Sequence, residues 1–301
     1  MKKFIYYLTL IALVVLVYIF REPIVKYIFE RINPKDEVNF NYRNSYYLKY
    51  KYKFFDELTD FKIENQQDIF NTYYTVTNNG YDKFKFYCPE EYDNCLNDVK
   101  SLVFDQKKLS LINGFVHPFN TFQNIRTEYN SLGEVNLEII KTYTPEDIVK
   151  IQEKMQEIIK NEIKDERDPK KIIRIIHDYV INHTKYDKER ADNNIIKYRS
   201  NTAYGVLFEG YGICGGYTDT MALFLDYYDI PNFEISSENH IWNAVFIDGK
   251  WLHLDLTWDD PIVSTGEEVL SDTYFLITTE RLKEINDVQH NFNLDIYKEL
   301  A

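Results

Sequence analysis

Residues 211–219, YGICGGYTD, and residues 239–261, NHIWNAVFIDGKWLHLDLTWDDP, decide how this 301-residue chain is read. Five of its ten glycines fall between Gly205 and Gly216, and all three tryptophans fall between Trp242 and Trp258. The first stretch carries Cys214 and the second carries His240 and Asp255. A thiol, an imidazole and a carboxylate in that order are the parts of a cysteine nucleophile with an oriented base. They point to an acyl-transfer site.

Gly210-Tyr211-Gly212-Ile213 is a poor helix and a good tight loop. From Cys214 onward, Tyr217, Met221, Leu225 and Tyr228 recur every three or four residues, so a helix is expected to begin near the cysteine. A sulfur there feels the positive end of the helix dipole. Gly212, Gly215 and Gly216 are expected to leave backbone open to a substrate, and the amides, that of Cys214 included, to hold an oxyanion. The competing reading makes Cys214 a small buried residue beside a glycine packing contact.

The second stretch alternates on either side of Asp248-Gly249, a hairpin signal. With a two-residue turn 247 faces 250, so 242 faces 255 and 240 faces 257. His240 and Asp255 then lie diagonally on one face, with Asp255 orienting one ring nitrogen while the other meets the thiol. His253 shares that face but sits two residues along the same strand from Asp255, so it reads as a subsite or packing residue. Trp242, Trp251 and Trp258 read as core and site walls, and Asn243 as a supporting hydrogen-bond donor. A metal site from Cys214, His240, His253 and Asp255 lacks ligand spacing typical of zinc; neither metal nor other cofactor is expected.

Upstream, Thr144-Pro145-Glu146-Asp147 and Asp168-Pro169 start two amphipathic helices, and polar residues 185–200 read as an exposed loop. Residues 38–143 read as a smaller α+β unit. It has a helix at 66–78, a strand at 83–88, a helix at 90–105 and a hairpin around Ser131-Leu132-Gly133. His117 in this unit reads as a packed loop histidine.

A net charge of -13 argues against nucleic acid as a partner, which needs a basic footprint. Lys2 and Lys3 precede an uncharged run from Phe4 to Phe20, which reaches roughly 25 Å as a helix, the short end of a bilayer span. No small-residue cleavage site follows, so residues 1–37 read as a retained single-pass anchor with a juxtamembrane segment. Arg21, Lys26, Arg31 and Lys35 after the run favour the bulk staying inside, whereas a short basic start followed by an apolar run is the form of an export signal. The cysteines break the tie. Cys88 and Cys95, close enough to form a disulfide, leave Cys214 as a single thiol, the pattern of an exported thiol enzyme; two unpaired cysteines in a cytoplasmic protein are the alternative. The expected location is the cell membrane with the catalytic part outside.

The glycine-flanked cysteine opening a helix, the His-x-Trp-Asn at 240–243 and the strand ending in Asp-x-Thr-Trp at 255–258 resemble the core of the bacterial transglutaminase-like superfamily. Upstream, IIHDYVINHTKYD at 175–187 resembles the helix that precedes the cysteine in many members. The resemblance covers about residues 169–261. It implies an α+β, papain-like core at 144–301, with a cysteine helix on an antiparallel sheet. It also implies Cys214 as nucleophile, His240 as general base and acid, and Asp255 as the orienting carboxylate. Gly212, Gly215, Trp242, Asn243, His253 and Trp258 would contact substrate, and His177 would be structural. The substrate would be a peptide or protein, cell-wall associated or not; acyl transfer, hydrolysis and a non-catalytic binding module all occur on such a fold.

Overall fold

The computed structural model describes residues 2–32, 40, 42–59, 63–260 and 271–301. Helix α1 runs Lys2–Ile32. Pro34, a residue type that ends helices, lies outside the described residues. Among the described residues no helix is long and apolar enough to cross a membrane. The transmembrane helix expected at Phe4–Phe20 is therefore not borne out there, although the side chains of residues 4, 5 and 8 lie outside the description.

The first α+β unit follows. Helix α2 (Gln66–Asn78) is entered through a capping box of Asn65 and Asp68. Strand β1 (Lys83–Tyr87) buries Phe84 and Phe86 on one face. Helices α3 (Cys95–Phe104) and α4 (Gln106–Asn113) follow, then the hairpin β2 (Phe122–Tyr129) and β3 (Glu134–Lys141). The three strands form an antiparallel sheet in the order β1-β3-β2. The helix expected from residue 90 begins only at Cys95, because Pro89 starts a turn and the Cys88–Cys95 disulfide closes the loop. Helix α4 was not expected; its signal is the N-cap Asp105, whose carboxylate accepts from the Lys108 amide.

Both expected caps open the helices of the second unit. Thr144 and Asp147 form a capping box at α5 (Pro145–Ile158), and Asp168 caps α6 (Pro169–His183). The polar stretch 185–200 is not all loop. Strand β4 (Lys185–Tyr186) and helix α7 (Lys188–Asn193) lie in it, the helix capped by Asp187, and β4 pairs in parallel with β5 (Tyr211–Gly212). Then come α8 (Cys214–Tyr227), β6 (Asn232–Ser236), β7 (Ile241–Ile247), β8 (Lys250–Leu254), α9 (Leu256–Asp259) and α10 (Thr279–Ile285). Strands β6-β7-β8 form an antiparallel sheet. Ile247 pairs with Lys250 and Asn243 with Leu254, the expected register. Asp248 and Gly249 both take positive φ, as a two-residue hairpin turn requires.

This second sheet is walled on both faces. Val245, Ile247, Leu252 and Leu254 face the core built by α5, α6 and α8. Phe233, Ile235, Trp242 and Ala244 face the other core, which is continuous with α2, α3, α4 and the first sheet. The alternation of strand side chains produces this division. Residues 42–59 thread between the halves: Tyr52 donates to the Asn232 carbonyl at 2.6 Å and Leu48 is gripped through both backbone groups by Asn78. Both sheet edges are covered, since the Glu234 amide donates to the Gly114 carbonyl and His253 bridges to Ile277.

Beneath the cysteine helix lies a buried pair of acids. Asp219 of α8 and Glu234 of β6 share a hydrogen bond, and the Tyr143 hydroxyl donates to Asp219. Burial pushes Asp219 up to about 7 and Glu234 well above its usual range. A carboxyl whose folded-state pKa is raised imposes no penalty below its unfolded value and an increasing one as pH rises through the folded value. Raising the pH from 5 to 8 is therefore expected to lower the Tm by about 4–8 °C. In Glu234→Gln the fall is shallower, measured by calorimetry across that range; part of it remains because Asp226 is also buried and raised to about 8.

Candidate active site

Cys214 is the first residue of α8, partly exposed. Ile213 before it is extended and offers no side-chain cap; the Gly216 amide turns back to the Ile213 carbonyl at 2.9 Å, so the Cys214 and Gly215 amides are the ones a helix start leaves for an outside acceptor. His240 stands just before β7 and Asp255 just after β8, so the hairpin register brings both to one end of the sheet, level with the start of α8. His240 Nε2 lies 2.6 Å from Asp255 Oδ2. The ring also hydrogen-bonds Cys214; with Nε2 engaged by the carboxylate, Nδ1 is the nitrogen left for sulfur. The structure thus brings Cys214, His240 and Asp255 together in one chain of contacts.

Asp255 is saturated with donors. Its Oδ1 accepts from the Thr257 and Trp258 amides at the start of α9, while its Oδ2 meets both His240 and His290, the latter at 2.8 Å. Burial alone would raise this carboxyl, but His240 and His290 outweigh burial and hold it well below the usual carboxylate range. Burial likewise acts to lower His240, yet the Asp255 charge and hydrogen bond, with Cys214, carry it up to about 10. The imidazole beside the sulfur keeps its proton at neutral pH.

His290 is the residue that sequence reasoning missed. It sits in the single-turn helix Val288–His290, buried, stacked on Tyr274 at 4.6 Å, and packed against Trp242 and Trp258. Nothing in its spacing from Asp255 announces the contact. Among the described residues His240, Asp255 and His290 are the grouping whose ligand-type atoms lie within 4.8 Å of one another. The separations of 2.6 and 2.8 Å are those of shared protons, shorter than the about 3.3 Å between ligands set tetrahedrally around a zinc ion.

The other expected site residues are distributed unevenly. Trp258 is half-buried beside His240, at 6.5 Å between ring centres, and walls the site. Trp242 is fully buried, stacked on His240 at 5.6 Å, and donates to His253 Nδ1 at 3.0 Å. His253 passes its own proton from Nε2 to Thr279 Oγ1, so both its nitrogens are engaged inside the protein; burial pushes it down to about 3. Asn243 is buried and donates to the Thr218 carbonyl in α8, pinning the cysteine helix to the sheet. His177 is buried and ties α6 to α9 through Asp259 at 3.2 Å.

The glycines face the chain itself. A Cβ on Gly212 would meet the Tyr217 ring at 2.7 Å, one on Gly215 the Asn201 side chain at 2.4 Å, and one on Gly216 the Ser200 carbonyl at 2.3 Å. The space expected for substrate at these positions is thus filled by Tyr217 and by residues 200–201, which press on the cysteine helix. Gly216→Ala is expected to destabilise the protein by about 3 kcal/mol or more, because the obstructing atom is backbone; urea unfolding measures it.

Residues 157–256 match the model of the transglutaminase-like superfamily. Two solved structures are similar. One is a TGase, with a TM-score of 0.35 at 16% identity, covering 64% of this chain and 53% of that one. The other is a candidate cysteine protease from Cytophaga hutchinsonii, with a TM-score of 0.28 at 15% identity, covering 49% of this chain and 65% of that one. The chain thus spans about half of the first structure's length and under two thirds of the second's. No curated protein matches the chain.

Proposed function

We propose that this chain is a thiol enzyme that opens amide bonds in a peptide or protein through an acyl-enzyme on Cys214. The observation that carries this reading is the linked set of Asp255, His240 and Cys214, with the sulfur at a helix start. Cys214 sulfur attacks the amide carbonyl and forms the carbon–sulfur bond, and the negative charge moves to the carbonyl oxygen. The Cys214 and Gly215 amides at the start of α8 stabilise that charge. Imidazolium His240 gives its proton to the departing nitrogen as the carbon–nitrogen bond breaks, leaving a thioester and a free amine. A second amine or water then attacks the thioester, His240 takes its proton, and sulfur leaves. Attack by an amine makes a crosslink; attack by water makes a protease or amidase.

Intact-mass measurement after exposure to surface extracts, in parallel with Cys214→Ala, tests the reading. An acyl adduct on Cys214 alone is expected, discharged by a labelled primary amine (transfer) or by water (hydrolysis). Absence of an adduct, together with a Cys214 that iodoacetamide alkylates no faster than free cysteine, overturns it.

Residence at the cell membrane with the catalytic part outside belongs to the same proposal. It is supported by the basic start, the apolar run Phe4–Phe20 and the Cys88–Cys95 disulfide.

A further inference from the structure

A cavity of about 680 Å³ opens at the far end of the cysteine helix, between α5, the end of α8 and residues 45–52. Asp226 in its wall lies roughly 18 Å along α8 from Cys214, so the cavity is separate from the triad. Its volume is that of a small-ligand site. Tyr46, Tyr50, Phe119 and Tyr227 give it aromatic walls, and Met155 and Ile230 add apolar surface.

Its polar floor is His117 and Asp226. His117 Nδ1 accepts from the Phe119 amide at 3.0 Å, which places the ring proton on Nε2. Asp226 Oδ1 accepts from the Asn232 side chain at 2.7 Å. The remaining atoms, His117 Nε2 and Asp226 Oδ2, stand 3.8 Å apart, too far for a hydrogen bond to each other. Among the described residues neither atom takes part in another hydrogen bond, and both side chains are about nine-tenths buried. Desolvation keeps this floor uncharged, with His117 lowered to about 3 and Asp226 raised to about 8.

We propose that this cavity binds a neutral saccharide of one or two rings. With Asn232 donating to Oδ1, the Asp226 proton sits on Oδ2, so the floor presents two donors; a sugar oxygen with two lone pairs accepts from both the His117 N–H and the Asp226 carboxyl, while apolar ring faces lie on the tyrosines. An anion would meet Asp229 in the wall and a net charge of -13. A cation would have to face the His117 N–H and be stripped of water beside an uncharged acid.

Saturation-transfer NMR on the full chain at pH 7 tests this. The probes are glucose, N-acetylglucosamine and maltose, compared with glucosamine as cation and glucose 6-phosphate as anion. Saturable binding of at least one neutral sugar is expected, with the charged analogues at least about tenfold weaker. Asp226→Leu is expected to weaken it about tenfold or more, and Tyr227→Ala, at an exposed wall position that leaves folding intact, by about fivefold. Competition with isolated glycan chains separates a polymer source from a free sugar, either of which supports the proposal. No saturable binding by any neutral probe, tighter binding of glucosamine, or binding unchanged in Tyr227→Ala overturns it. Alkylation of Cys214 is expected to be unchanged throughout, so this result stands or falls apart from the acyl-enzyme.

Discussion

His240→Ala is expected to slow turnover by about 10³-fold or more and to abolish fast alkylation of Cys214 near neutral pH. The ring contacts both the sulfur and the buried charge of Asp255, and it is held protonated up to about 10. In the intact protein the sulfur therefore faces a cation over the whole neutral range, and alkylation there should be faster than in the variant. Above about pH 10 His240 loses its proton and the cation with it. In the variant that cation is absent at every pH, and alkylation near neutral pH should fall to the rate of an unassisted thiol. Stopped-flow alkylation across pH reads both curves; superimposable profiles would remove His240 from any chemical role.

Asp255→Asn is the second large effect: turnover is expected to fall by about 10³–10⁴-fold and stability by about 3–5 kcal/mol. The carboxylate accepts from two histidines and two backbone amides, whereas an asparagine has one acceptor oxygen and presents an NH₂ to groups that are themselves donors. The stability loss carries a pH signature. His240 is raised, so its contribution is complete below its unfolded value near 6.5 and declines as pH rises toward 10. Asp255 is depressed, so its contribution is complete above about 4 and declines as pH falls further. The gap between the two proteins should be widest between about pH 4 and 6.5 and narrow on either side. Urea unfolding at a series of pH values measures it, and a constant gap would mean that the two charges do not stabilise each other. His290→Gln separates support from chemistry: it leaves the His240 contact in place and should lower turnover by only about tenfold.

Local chemistry was legible where a few adjacent residues determine it. Thr144, Asp168 and Asp248-Gly249 carry their own instructions for a helix start or a turn, and the strand register follows from the turn alone. The alignment of His240 with Asp255 came from that register. His290 was not legible, because its approach depends on how residues 271–301 fold back over Trp242 and Trp258, which no local pattern encodes. The glycines show the same limit. Sequence marks Gly212, Gly215 and Gly216 as places of close approach, but that Tyr217, Asn201 and Ser200 make the approach is a property of the assembled chain. The late start of α3 came from a covalent tie, the Cys88–Cys95 bond, overriding helical periodicity.

Because Phe233 is roofed by Tyr52 and Phe115, and Ile235, Trp242 and Ala244 share its core, the strands that carry the triad are mortised into material laid down earlier in the chain. Trp242 belongs to the same core and is stacked on His240, so it joins that core to the triad. Evolution of the reaction and evolution of the roof are therefore coupled. A different front half grafted onto residues 144–301 would have to reproduce the same apolar relief before His240 could be held in place.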